Sequence, residues 1–194
     1  MKVFVTGGTG CIGKHLVKAL AENGHRVQVL VREKKDLTGV KKSGAKGILG
    51  NLEDKKFLQD ALSGCDLCYH LAAIRSDWGY SWQDHYHTNV ELTNNLLDAA
   101  VGRVKHIILI SSVKADHPTT SYGKSKQQVE KVAKEFYRKK NLPITIIRPA
   151  IVFGPGDSFL GMMPKLISLI KNGKFITVGN GKNHLHLLYI EDLV

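Results

Sequence analysis

The sequence lacks most of what marks a secreted, membrane-spanning or metal-stapled protein. Its longest apolar run, within "HIILISS", is strand-sized and far short of the roughly 20 residues a membrane span needs. The opening "MKVFVTGG" enters a strand-like run at once, without the basic segment, apolar stretch and small-residue cleavage site of a secretory signal. A cytoplasmic location with no membrane partner is the expectation. Cysteine is scarce, and the count of three is odd, which suits reduced thiols. Cys65 and Cys68 form one C-x-x-C with no second pair, so a four-thiolate zinc site within this chain is excluded. They read as a turn leading into a buried strand, and Cys11 reads as packing.

Acidic residues are outnumbered, 17 against 28 basic ones, leaving a net charge of +11. Such an excess raises nucleic acid as a partner. The cations, however, are scattered as pairs such as Lys34–Lys35, Lys41–Lys42 and Lys139–Lys140, without interleaved aromatics or a basic tail. A solvated surface that also favours anionic ligands is expected, and a nucleic-acid partner is not. Histidine offers no third ligand to the pairs His184/His186 or His85/His87, so no metal is expected. His70, in a buried-looking strand, reads as structural.

What the chain does have is regular alternation. "KVFVT" reads as a buried strand and Cys11 to Asn23 as a helix ended by Gly24. "RVQVLV" and "KGILG" follow as strands, Asp54 to Leu62 as a helix and "DLCYHLAA" as the fourth strand. A long helix spans Asp84 to Val101, with Tyr86, Val90, Thr93, Leu97 and Ala100 on one stripe. "HIILISS" is strand five, Tyr122 to Lys140 a helix and "ITIIR" strand six. Strands joined mostly by crossover-length helices imply an α/β fold with a doubly wound, Rossmann-type parallel sheet, whose ligands bind beyond the strands' carboxyl ends. The dinucleotide-binding domain is expected over 1–153. Residues 154–194 would begin a small C-terminal substrate lobe, with a linker near Phe153 to Met163 and the lobe cut short at Val194.

"TGGTGCIG" lies between the first strand and its helix. Gly8, Gly10 and Gly13 satisfy G-x-G-x-x-G, and Gly7, Gly10 and Gly13 give a wider spacing; Thr9, Cys11 and Ile12 complete the loop. Absent side chains let backbone approach a pyrophosphate, and the helix N-terminus offers unpaired N–H groups. At the end of strand two stands Arg32, where an NAD enzyme would carry an acid. A guanidinium suits a 2′-phosphate, so NADP is preferred, with Glu33 keeping NAD in play.

From Tyr122 the helix places Lys126, Val129, Ala133 and Phe136 on one face. An inward lysine costs free energy unless its ammonium is satisfied. A tyrosine one turn away gives it a purpose: bringing a phenol from its ordinary pKa near 10 to neutrality needs about 3–4 kcal/mol, which a cation ~4 Å away supplies at an effective dielectric of ~20. Ser111 and Ser112, at the end of strand five, could hold the same substrate oxygen.

"TGGTGCIG", "GNLED", "YHLAA", "TNVELTNNLLDAA", "YGKSK", "RPAIVFGPGD" and "LLYIEDLV" together resemble the extended short-chain dehydrogenase/reductase family, the NAD(P)-dependent epimerase/dehydratase group acting largely on nucleotide sugars. The resemblance covers essentially the whole chain. It implies a catalytic set of Ser112, Tyr122 and Lys126, with Tyr122 and Lys126 also touching the cofactor. It puts Asn51 and Leu52 by the adenine, Leu71, Ala72 and Ala73 along the cofactor, Asn89 in support of the site and Pro149 near the nicotinamide. It also makes a homodimer through the two long helices a candidate assembly. The implied activity is hydride transfer at a C–OH/C=O centre, as an epimerase or oxidoreductase of a nucleotide sugar. A carbonyl reductase of a non-sugar substrate and a non-catalytic dinucleotide-sensing or assembly protein are the alternatives. Ser112, Val113 and Lys114 stand where the dehydratase branch has a Thr-Asp-Glu run, so sugar dehydration is not expected.

Overall fold

Burial in the first strand, β1 (Lys2–Thr6), does not alternate: Val3, Phe4, Val5 and Thr6 are all buried. Only a strand covered on both faces reads this way. The computed structural model describes residues 1–156, 162–177, 179–182 and 184–194. They divide into two compact units, Met1–Arg148 and Pro149–Val194.

In the first unit, β1 is followed by α1 (Cys11–Glu22), β2 (Arg26–Val31), α2 (Asp36–Lys42), β3 (Lys46–Leu49), α3 (Lys55–Leu62) and β4 (Cys65–His70). Then come α4 (Trp82–His85), a wide π-helical turn over Tyr86–Glu91, α5 (Leu92–Ala100), β5 (Val104–Ile110), α6 (Ser121–Lys140) and β6 (Ile144–Ile147). Among the described residues these six strands form one parallel sheet, ordered β3-β2-β1-β4-β5-β6. The order reverses between β1 and β4, which is where a doubly wound sheet opens its ligand crevice. Val3 and Val5 pack with Leu16, Val17 and Leu20 of α1 on one face. Phe4, Ile107 and Leu109 pack with Leu58, Leu62, Leu96 and Leu97 on the other.

Three details depart from the expected elements. Helix α2 was not foreseen, because "DLTGVKK" has a central glycine and only Leu37 and Val40 to build a stripe. Strand β4 stops at His70, leaving Leu71 to Ala73 as extended chain outside the ladder. The long helix starts earlier, at Trp82, because Ser81 and Asp84 form a capping box with Asp84 in the third helical position. Its expected stripe also shifts: Tyr86 is 41% exposed while His85 is fully buried. The wide turn inserts an extra residue, so the position five before Val90, rather than four, falls inward.

The second unit pairs β7 (Ile151–Phe153) with β8 (Leu187–Tyr189) in parallel and carries α7 (Met162–Lys171) and α8 (Ile190–Leu193). Phe153 and Tyr189 stack at 5.6 Å. Residues 157–161 of the expected linker lie outside the described residues. His184 and His186 precede β8 and are not on a strand; the His186 carbonyl accepts from the Ile151 N–H at 3.1 Å.

Candidate active site

The glycine loop is shaped by its close neighbours. Gly7 has φ +70°, and a Cβ on it would lie 2.6 Å from the Ala72 nitrogen; one on Gly13 would lie 2.1 Å from the Gly7 carbonyl oxygen. The loop therefore closes on itself, Gly13 against Gly7 and Gly8, and Gly7 lies against Leu71 and Ala72 where the chain leaves β4. Helix α1 starts at Gly10 with no side-chain cap and no acid in its first turn. Its N-terminal N–H groups thus fit an anionic ligand such as a pyrophosphate. Thr9, Cys11 and Ile12 are half-buried around that end.

Arg32 is exposed just beyond β2. The neighbouring Glu33 is paired with Lys35 at 2.6 Å, which holds its carboxyl below the usual range. Hydrogen bonding of the Gly50 N–H to the Val31 carbonyl brings the Asn51 turn alongside. Both ends of the Asn51 amide are engaged by Glu53, at 3.1 Å each, and Leu52 is buried beneath.

The second cluster forms where β5 ends. The two serines expected there point to different partners. Ser111 donates to Glu130 Oε1 at 2.6 Å, whereas Ser112 lies near the Tyr122 hydroxyl and pulls its pKa down. Tyr122 sits in the first turn of α6, whose N-terminus is held twice: Thr120 Oγ1 accepts from Gly123 N at 3.1 Å, and Asp77 Oδ1 accepts from Tyr122 N at 2.8 Å. One turn on, Lys126 is only 5% exposed, lies 5.9 Å from the Tyr122 ring centre and donates to the Ile110 carbonyl at 2.8 Å. Burial pushes Lys126 down to about 8, with Glu130 opposing.

The phenol differs from the expectation. Burial raises the Tyr122 pKa, while Ser112 and Arg75 pull the other way. The ammonium expected to lower it is engaged by the Ile110 carbonyl instead. Tyr122 is therefore a protonated hydroxyl at neutral pH.

Behind this cluster Glu130 is buried and accepts from Arg148 Nε at 2.8 Å and Nη2 at 2.6 Å, as well as from Ser111. Burial pushes its carboxyl up, but the Arg148 and Ser111 bonds together outweigh this and the net direction is down. The network ties α6 to the ends of β5 and β6. On the other side, His70 Nδ1 meets Thr6 Oγ1 at 2.6 Å and its Nε2 meets Thr93 Oγ1 at 2.8 Å. Burial, then the Lys126 charge, push His70 down to about 3.

Asn89 is buried rather than open to a ligand. Its amide grips both backbone groups of Ile74, at 2.8 and 2.9 Å, and donates to Ser125 Oγ at 2.9 Å. It fixes the chain just past Ala73 onto α6. Sequence reasoning missed Asp77, Glu130 and His85. His85 packs 6.4 Å from the Tyr122 ring, and only its spacing of four from Asn89 could have drawn attention to it. Pro149, the remaining expected residue, is the first of the second unit. Among the described residues there is no metal-binding group of His, Cys, Asp and Glu, and no helix is long and apolar enough to cross a membrane.

Comparison with known proteins gives this arrangement a context. The profile described as the NAD dependent epimerase/dehydratase family matches residues 3–194. A 4-hydroxy-2-methyl-3-oxo-4-farnesyl-3,4-dihydroquinoline-1-oxide ketoreductase of Stigmatella aurantiaca is 30% identical over 94% of this chain and 59% of its own length. A 2-alkyl-3-oxoalkanoate reductase of Stenotrophomonas maltophilia is 29% identical over 99% of this chain and 62% of its own. The chain thus spans about three fifths of these curated relatives. A crystal structure of a mutant UDP-glucuronic acid 4-epimerase from Bacillus cereus, in complex with a UDP-4-deoxy-4-fluoro-glucuronic acid and NAD, superposes with a TM-score of 0.87. It is 26% identical and covers 100% of this chain and 70% of that one.

Proposed function

The chain belongs to the NAD-dependent epimerase/dehydratase family, and on that premise we propose that it transfers hydride between a nicotinamide and a C–OH/C=O carbon. The observation that carries this is the Tyr122 hydroxyl set close enough to Ser112 for the serine to lower its pKa, with Lys126 buried one turn on. The loop of Gly7 to Gly13 and the uncapped start of α1 would hold the dinucleotide's pyrophosphate, with Leu71 to Ala73 beside it. When bound, the nicotinamide supplies the hydride. Ser112 orients the substrate oxygen, Tyr122 gives or takes its proton, and Lys126 holds the end of β5 and positive charge near the phenol.

A phenol that keeps its proton at neutral pH suits donation, so carbonyl reduction is the direction favoured. The ketoreductase relative supports it. Epimerisation of a nucleotide sugar is the second reading, supported by the 4-epimerase neighbour with its NAD and UDP-sugar ligand. Two of the compared proteins carry names in which a carboxylate is borne by the carbon next to the reacting one, the 3-oxoalkanoate and the glucuronic acid. Incubation with NADPH deuterated at the transferable C4 position should place deuterium on the product carbinol carbon. A product free of deuterium, or no consumption of NADPH with any ketone or UDP sugar, would overturn the reductive direction. No transient reduction of bound NAD(P)+ by any UDP sugar besides would overturn hydride transfer itself.

Arg32, beside a Glu33 already paired with Lys35, favours a 2′-phosphate. A charge-assisted contact of this kind contributes about 1.5–3 kcal/mol. Arg32→Glu is therefore expected to weaken NADPH binding by about ten- to a hundredfold and to leave NADH binding within a few-fold. An unchanged NADPH-to-NADH ratio would remove the NADP preference.

A further inference from the structure

We infer that Lys114 selects substrates bearing a carboxylate on the carbon next to the reacting one. The inference rests on the hydride-transfer reading of Tyr122 and names the substrate class for that site.

Lys114 belongs to the short 3-10 turn Val113–Ala115, between β5 and α6. Its backbone is held in place from two directions. Its N–H donates to Ser112 Oγ at 3.2 Å, the hydroxyl that also lowers the Tyr122 pKa. Its carbonyl oxygen lies 2.8 Å from where a Cβ on Gly123 would sit, so the turn lies directly on the first turn of α6 only because residue 123 has no side chain. From this seat the ammonium reaches a point 5.8 Å from the Tyr122 ring centre.

Two ammonium groups thus flank one phenol, and their situations differ. Lys126 is buried and committed to the Ile110 carbonyl. Lys114 is exposed, and among the described residues it has no acidic partner. The nearby Asp116 is engaged by Arg148 at 3.2 Å. Arg75 adds positive potential at the phenol hydroxyl, which Asp77 opposes more weakly. A substrate oxygen presented to Ser112 and Tyr122 therefore has, within reach of one flexible side chain, an exposed ammonium that no described protein anion satisfies. A carboxylate on the adjacent carbon is the substrate anion that stays within this short range of the reacting oxygen. An acyl chain acid and a sugar acid share this chemistry.

The test measures binding, so that it stands apart from turnover. In a Tyr122→Phe background with NADP+ present, calorimetric titrations compare two matched pairs: 3-hydroxyhexanoate with its methyl ester, and UDP-glucuronate with UDP-glucose. The acid of at least one pair should bind about tenfold or more tightly than its neutral twin, and the pair that discriminates identifies the source of the carboxylate. Lys114→Met should erase that preference while leaving the neutral twin's Kd within about twofold. Lys114→Gln should do the same, and Lys114→Arg should keep most of it. Absence of preference in both pairs, its survival in Lys114→Met and Lys114→Gln, or an equal loss for acid and neutral twin would overturn the inference. Failed deuterium transfer from the enzyme with Tyr122 intact, alongside a retained acid preference, would instead count against the hydride-transfer reading alone.

Discussion

Replacing Tyr122 by phenylalanine should lower hydride transfer by about a hundred- to ten-thousandfold, the range a positioned proton donor contributes, while NADPH affinity stays within a few-fold. The substitution removes one oxygen and little else. The ring keeps its neighbours His85, Lys114 and Lys126 at 6.4, 5.8 and 5.9 Å. Ser112 Oγ keeps the Lys114 N–H as a partner, so the stability cost should be only about 1 kcal/mol. The pH profile adds a second check. Lys126 carries its proton below about 8, so the parent enzyme's reduction rate should fall as pH rises through that value. Tyr122→Phe should show a low, nearly flat profile. A variant retaining more than a tenth of the parent rate would remove Tyr122 from the proton path.

Acid should destabilise the first unit steeply, with His70 as the leading cause. In the unfolded chain His70 takes a proton near 6.5, whereas in the fold burial holds it off until about 3. Between those values the unfolded state carries the extra proton, so stability falls as pH falls, by about 1.4 kcal/mol per pH unit and up to about 5 kcal/mol in all. Glu130 acts in the same direction: its carboxyl is held below the usual range, so its contribution is present above the unfolded pKa and lost as pH falls through the folded one. His87 runs the other way. Glu91, then Glu53, raise its pKa, so its contribution is lost as pH rises, and its half-exposed position keeps that effect small. Urea unfolding from pH 7 to pH 4 should show the slope, and His70→Gln should flatten it. An unchanged slope in that variant would mean that other groups carry the acid sensitivity.

The sheet was legible because its strands are covered on both faces. Runs such as "KVFVT" and "RVQVLV" have no polar alternation, and the helices between them are long enough to cross over. The inward placement of Lys126 was legible for a similar reason, since it shares a helical stripe with Val129 and Ala133. Where its ammonium would go was not, because the Ile110 carbonyl is 16 residues back and reaches it only once β5 and α6 are packed. The expected lowering of the phenol did not appear because burial of the ring outweighs the groups that pull its pKa down. Asp77 holds the Tyr122 N–H across 45 residues, and Asn89 grips Ile74 across 15. Neither pairing has a periodic signal, since each joins a loop to a helix. Composition alone did not separate Ser111 from Ser112, and only the resemblance chose Ser112; in the fold Ser111 bonds Glu130 while Ser112 lies by the Tyr122 hydroxyl.

The wide turn at Tyr86–Glu91 sets the rotational phase of everything ahead of it. Removing a single residue there would let the coil rewind to its regular pitch, and each residue is worth about 100° of rotation. His85 would swing off the Tyr122 ring, and the segment capped by Ser81 would turn with it. Exchanges of the exposed side chains in this stretch, Tyr86 and His87, are thus cheap beside changes in its length, and a relative one residue shorter here would have had to rebuild the wall beside its tyrosine.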